Sequence, residues 1–278
     1  KITRRIGLRK IEVDTTGGGL AFKVNGRAIF MKGANWIPGS AFENEQTPAR
    51  YRDLLESAKA ANMNMIRVGG GGQYEKDVFY DICDELGLLV WHDQRFACGR
   101  YPQVDPTFAD LVARECAHQF RRLRDHTSIA LWCGGNECKV PVSVIKKMAE
   151  LHDPGRMFWP SSPCAGPGSF ADNWQNDAEG DMHNWQVWHK NRPFDAYYSY
   201  RPRFCSEFGY QSFPSMEVAE TFATREQILS RAPEFEWHQK NDGGNARMRE
   251  TMLRYFNPPK DVEAELLLSQ FQQGIAIK

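Results

Sequence analysis

The chain has 278 residues, 41% hydrophobic and 12% aromatic, with 35 basic and 35 acidic side chains and a formal net charge of zero. That length and apolar content are enough for one large folded domain and exclude a disordered chain. The charge balance argues against a nucleic-acid partner and against long-range attraction to an anionic membrane, and no run of eighteen apolar residues offers a transmembrane helix.

Residues 6–13 alternate weakly and precede a Thr/Gly turn at 15–19; residues 22–30 read as a hairpin around Asn25-Gly26, the dipeptide favoured in two-residue turns. A short strand is expected at 31–34. Thr47-Pro48 opens a helix as cap and first helical residue, with Tyr51, Leu54, Leu55 and Ala58 on one face. A strand at 63–68 runs into four glycines, 69–72. Those glycines lack the Gly-Lys-Ser/Thr that would complete a phosphate loop, so they read as a strand-to-helix connection. A helix carrying Val78, Phe79, Ile82 and Leu86 on one face stops at Gly87. Strands follow at 88–91, 129–133, 157–159, 180–183 and 203–206, and helices at 108–124, 142–151, 247–255 and 264–277.

Strand and helix alternate, the pattern of a parallel sheet with helices outside. The expected fold is a (β/α)8 TIM barrel. Seven barrel strands can be counted, so the eighth is expected to be lacking from this chain. Residues 1–20 read as the remnant of a preceding β domain or a linker, and residues 21–278 as the barrel domain, truncated at its C-terminal end. The start at Lys1 reads like the middle of a longer protein, and it fixes no compartment. The seven cysteines are odd in number and scattered, with no CxxC pair, so neither a zinc ribbon nor a disulfide scaffold is expected. No cofactor or metal is expected, and oligomeric state is open.

Two carboxylates end short hydrophobic runs. Glu137 follows Asn136 beyond Ile129-Ala130-Leu131-Trp132-Cys133, and Glu207 lies in Phe204-Cys205-Ser206-Glu207-Phe208-Gly209. A parallel barrel carries its chemistry where strands end, because the loops there converge on one mouth. Two carboxyls across a cleft are what glycosidic cleavage needs: a retaining mechanism places them about 5–5.5 Å apart, one ionised to attack and one protonated to donate. The plainer reading makes both glutamates surface strand ends bound to nearby arginines. A metal cluster of His92, Asp93, Asp181 and His183 is a third possibility if those strands face one pocket. Trp36, Trp132 and Trp185 are either sugar platforms or core.

The chain resembles the catalytic barrel of the β-mannosidases of glycoside hydrolase family two. The stretches that carry the likeness are Lys32-Gly33-Ala34-Asn35-Trp36-Ile37-Pro38, Asn62-Met63-Asn64-Met65-Ile66-Arg67-Val68, Phe79-Tyr80-Asp81-Ile82-Cys83-Asp84-Glu85-Leu86-Gly87, Arg122-Leu123-Arg124-Asp125-His126, Gly180-Asp181-Met182-His183 and Ser206-Glu207-Phe208-Gly209-Tyr210. The resemblance implies a retaining exo-β-glycosidase acting on terminal β-mannosides, with a carbohydrate as its partner. It makes Glu137 the general acid/base, Glu207 the nucleophile and Asn136 the residue that holds the sugar 2-hydroxyl. It makes Arg67 the arginine that keeps the nucleophile ionised, and His183 a group flanking the site. Trp185, Trp36 and Asp93 complete the expected substrate-binding set. Several rim positions depart from the family pattern: Gly69 stands where a tryptophan is usual, and Gly135, Gln94 and Gln186 replace other pocket residues. The alternative reading is therefore an impaired or repurposed barrel whose pocket was remodelled by evolution or by design.

Overall fold

The computed structural model describes residues 6–168 and 176–278. In chain order the elements are β1 (Ile11–Asp14), β2 (Ala21–Val24), β3 (Arg27–Ile29), β4 (Gly33–Trp36), α1 (Pro48–Ala60), β5 (Met65–Val68), α2 (Asp77–Leu86), β6 (Leu89–Asp93), α3 (Pro106–Leu123), β7 (Ile129–Cys133), α4 (Val142–His152), β8 (Met157–Trp159), β9 (Met182–Asn184), β10 (Cys205–Phe208), α5 (Met216–Ala219), α6 (Arg225–Leu229), α7 (Pro233–Glu236), α8 (Gly244–Tyr255) and α9 (Val262–Ile277). The chain divides into two compact units. The first holds Lys1–His183 and Pro202–Ser206, the second Asn184–Arg201 and Glu207–Lys278.

The first unit is α/β. Strands β4-β5-β6-β7-β8 form a five-stranded sheet in sequence order, and its registered neighbours are all parallel. Strands β9 and β10 pair with each other. Local chemistry sets the boundaries. Thr47 caps α1 by accepting from the Arg50 N–H, with Pro48 at the first turn. Asp105 caps α3 in the same way ahead of Pro106. Gly87 ends α2 in the left-handed region, at φ 70°. Asn25 and Gly26 both take positive φ, 51° and 77°, in the turn that joins β2 to β3. Strand β1 pairs antiparallel with β2, so the expected boundary at residue 20 falls inside one three-stranded sheet.

Period-two alternation, broken once by the register shift where Val90 pairs with Ile129 and Trp91 with Leu131, sorts the parallel strands into two faces. Ile66, Val68, Val90, Ile129, Trp132 and Phe158 join a core with Tyr51, Leu55, Phe79, Cys116 and Phe120 from helices α1–α3. Met65, Trp91, Leu131, Cys133 and Trp159 join Leu20 and Phe22 in a second core on the other face. Two expectations change here. Leu54 is exposed rather than packed with Tyr51 and Leu55, while Tyr80 and Cys83 supply buried α2 residues the apolar spacing did not single out. Trp132 is wholly buried against the Phe120 ring and donates its Nε1–H to Asp153, so it is core and not a sugar platform.

The second unit is helical apart from the strand ends it contributes. Val187, Trp188, Tyr210, Phe213, Ile228, Phe235, Met248 and Leu266 build its core. Helices α5–α7 are each one turn or slightly more, too short for apolar periodicity to reveal. No helix among the described residues is long and apolar enough to cross a membrane.

Candidate active site

The polar residues of the first unit gather where the parallel strands end. On β5 and β6 the residues facing the second core begin apolar, as Met65 and Trp91, and end polar, as Arg67 and Asp93. Arg67 is buried and its guanidinium donates to Asp93 Oδ2 at 2.6 Å, Asn136 Oδ1 at 2.7 Å and Asn35 Oδ1 at 3.1 Å, with Nε 3.4 Å from Asp93 Oδ1. Asp93 also accepts from Trp91 Nε1 at 2.8 Å and from the Gly70 N–H at 2.9 Å. The glycine run is therefore a backbone donor to a carboxylate. Gly70 has no room for a Cβ, which would lie 2.2 Å from the Phe96 carbonyl oxygen. Gly69 differs: a Cβ there would have only Ile37 Cδ1 within reach, at 4.0 Å.

Glu137 lies one residue beyond the Arg67-bound Asn136, with φ 49°, in the left-handed region. Its N–H donates to the Ser162 carbonyl, and Asn136 is bridged in parallel to both Ala97 and Ser162. The carboxyl is gripped from two sides: Oε1 is 2.6 Å from His183 Nδ1, and Oε2 is 3.5 Å from Cys98 Sγ. Behind His183 lies a buried polar cluster. His183 Nε2 is 3.0 Å from Ser162 Oγ. Asp181 accepts from Ser162 Oγ at 2.7 Å, Ser206 Oγ at 2.5 Å, Trp159 Nε1 at 2.8 Å and the Cys164 N–H at 2.8 Å. Burial, aided by the nearby Arg67 charge, pushes the His183 imidazole down to about 2, so it is neutral at ordinary pH.

Of the expected site residues, Arg67, Asp93, Asn136, Glu137 and His183 therefore share one network in the first unit. Glu207 belongs to the second unit, where Trp185 donates its Nε1–H to Oε2 at 3.2 Å. Trp185 also stacks edge-on with His189. Trp36 packs against Phe79 and Tyr51, with ring centroids 4.8 and 6.2 Å away, and its Nε1–H goes to Glu75; its indole is committed to the helix layer.

The metal reading fails on strand alternation. His92 and Asp93 are consecutive on β6, so they leave on opposite faces. His92 turns toward the helices, with Nε2 on the Tyr80 hydroxyl at 2.7 Å and Nδ1 on the Asp93 carbonyl at 2.8 Å, and burial drives it down to about 4. It cannot share an ion with Asp93, Asp181 and His183. On the outer layer, Asp81, Asp84 and His126 bring ligand-type atoms within 4.8 Å of one another. There Asp84 already accepts from His126 Nδ1 and the Ser128 N–H, which ties α2 to the start of β7.

Three features escaped the sequence reading. Cys98 carries no motif; the Ala97–Asn136 bridge and the bond from the Cys98 N–H to the Asn136 carbonyl bring it to Glu137. Asn35 sits in a family-like stretch, but its role at Arg67 depends on β4–β5 register. The Ser162–Asp181–Ser206 cluster joins three separate segments.

No family model matches the chain. It is 35% identical over 310 aligned residues to a β-mannosidase of Bos taurus, covering 95% of this chain and 34% of that protein. It is 32% identical over 309 aligned residues to β-mannosidase B of Aspergillus clavatus, covering 99% and 36%. The crystal structure of β-D-mannosidase from Dictyoglomus thermophilum matches with a TM-score of 0.90 at 38% identity, over 100% of this chain and 36% of that one. The chain is homologous to the β-mannosidases of glycoside hydrolase family two. It spans about a third of the length of these relatives. An exo-chitosanase of Amycolatopsis orientalis, at 17% identity and a TM-score of 0.75, shares the fold alone.

Proposed function

We propose that this chain carries the catalytic domain of a retaining exo-β-mannosidase, with Glu137 as general acid/base and Glu207 as nucleophile on a (β/α)8-type barrel. The observation that carries the reading is the Glu137 carboxyl, held by His183 beside the Arg67-anchored Asn136, at the outgoing edge of a parallel sheet. Two bonds within the first unit support a closed ring of strands. Trp159 on β8 donates to Asp181, just before β9, and Asn35 on β4 donates to the Ser206 carbonyl on β10. Ring closure brings strand ends to one mouth.

In this mechanism Glu207 attacks the anomeric carbon while Glu137 gives its proton to the departing glycosidic oxygen. The glycosyl–Glu207 ester then meets a water that Glu137 deprotonates, and the second displacement restores the β configuration. Trp185 orients the nucleophile, and Asn136, fixed by Arg67, presents its amide nitrogen to the sugar. A side chain at Gly69 would meet only Ile37 Cδ1, at 4.0 Å, so this end of β5 is uncrowded. The test is hydrolysis of an aryl β-mannoside by the wild-type chain and by Glu207→Ala. Loss of turnover in the variant is expected, and equal rates would end the reading.

A further inference from the structure

We propose that Asp181, through Ser162, fixes the tautomer of His183 so that the proton between His183 and Glu137 resides on Glu137. The assignment deepens the reading of Glu137 as the acid, but it stands on hydrogen-bond geometry within the first unit. A neutral imidazole carries one N–H. His183 presents Nδ1 to Glu137 Oε1 at 2.6 Å and Nε2 to Ser162 Oγ at 3.0 Å, so one nitrogen donates and the other accepts.

The Ser162 hydroxyl decides which. It has one proton and three polar neighbours: Asp181 Oδ2 at 2.7 Å, His183 Nε2 at 3.0 Å and Ser206 Oγ at 3.3 Å. A carboxylate oxygen is the strongest acceptor of the three and is also the nearest. Asp181 Oδ1 is filled by two donors whose direction is fixed, the Trp159 indole and the Cys164 amide. Its Oδ2 is left to draw the protons of both Ser162 and Ser206. With its proton turned to Asp181, Ser162 Oγ offers His183 only lone pairs. His183 then donates from Nε2, and Nδ1 is a bare acceptor. Two acceptors do not rest 2.6 Å apart, so Glu137 supplies the proton through Oε1.

The pattern requires Asp181 to be ionised. Its four donors, two of them fixed in direction, call for an acceptor at both oxygens, although burial outweighs them and leaves that carboxyl raised from its ordinary value. Within the first unit, Arg67, whose charge adds to burial in keeping the imidazole neutral, and the Cys98 thiol at Glu137 Oε2 also face the pair. Asp181, Ser162 and Ser206 are positioning residues here, acting on the acid through His183. The site is thereby supplied with a loaded acid before substrate arrives.

The test reads the tautomer directly and needs no turnover. Nitrogen–proton correlation spectra of the full chain with labelled histidine, with the His183 signal assigned by its loss in His183→Gln, should show the Nε2–H form. Asp181→Asn turns an amide N–H₂ toward Ser162, sends the hydroxyl proton to His183 and should exchange the two ring-nitrogen shifts. Wild-type His183 in the Nδ1–H form would overturn the proposal whatever the activity. A folded Asp181→Asn chain that keeps the wild-type tautomer would also overturn it. Should that variant not fold, the wild-type spectrum alone decides. Absence of mannosidase turnover with the Nε2–H tautomer present would instead count only against the proposed function.

Discussion

Oε1 of Glu137, in the loop after β7, stands 2.6 Å from Nδ1 of His183, a residue 46 positions later on β9. One carboxyl is thus fixed against an imidazole that burial keeps neutral, a suitable setting for a group that must give and then take a proton.

If Glu137 is the acid, its removal should depend on the leaving group. Glu137→Ala is expected to slow hydrolysis of phenyl β-mannoside by about 10²–10⁴-fold. A dinitrophenyl β-mannoside, whose leaving group needs no proton, should lose far less in its glycosylation step. Equal losses on the two substrates would remove Glu137 from the acid role.

Arg67 neutralises Asp93 in a buried pair, with side chains 6% and 0% exposed. Arg67→Met leaves the Asp93 carboxylate buried without its cation and should cost about 3–5 kcal/mol in urea unfolding. Adding Asp93→Leu should return part of that loss, because no charge is then stranded. A double variant as unstable as the sum of its singles would contradict this account.

Stability should fall as the solution is acidified below the ordinary histidine value of 6.5. His92 and His183 are held down to about 4 and about 2 in the fold, so the unfolded chain binds the protons first. Their contribution is complete above 6.5 and fades as pH drops toward the folded values. Asp84 adds a second loss at lower pH. Burial favours its neutral form, but the bonds from His126 and Ser128 outweigh that and lower it below 3.8. Its contribution is present above 3.8 and disappears as pH falls through the folded value. Urea midpoints at pH 7.5, 5.5 and 4 should decline in that order, and a flat series would refute the assignment.

The two neighbouring glycines at the end of β5 should respond oppositely to a methyl group. Gly69 faces open space and its φ lies outside the left-handed region, so Gly69→Ala should stay within about 0.5 kcal/mol of wild type. Gly70→Ala drives a carbon into the Phe96 carbonyl and against Asn136, and should cost about 1–3 kcal/mol with displacement of Asn136. Thermal melts of the two variants separate these outcomes.

Much of the first unit could be read in the sequence because local signals there agree with tertiary structure. Ile129 to Cys133 is an unbroken apolar run and forms β7 without correction, and Thr47-Pro48 and Gly87 mark helix ends by capping chemistry alone. Three strands sit one or two residues later than expected. The first is at Gly33–Trp36 rather than 31–34, the sixth at Met182–Asn184 rather than 180–183, and the seventh at Cys205–Phe208 rather than 203–206. Short strands have few residues with which to fix their register. What could not be read was direction. His92 and Trp132 looked like rim residues, yet each lies one step out of phase with the inward set and faces the helices. Contacts such as Cys98 with Glu137, or Ser162 with Asp181, depend on where separate loops end and leave no spacing to detect.

Glu137 holds a backbone geometry that a side-chain-bearing residue adopts reluctantly, and so does Cys98, at φ 49° and 46°. Glycine at position 137 would sit there with about 1 kcal/mol less strain than alanine. A chain carrying Glu137→Gly should therefore outlast one carrying Glu137→Ala on heating. If Glu137 is the acid, ease of the main chain and usefulness of the side chain pull in opposite directions at this one residue.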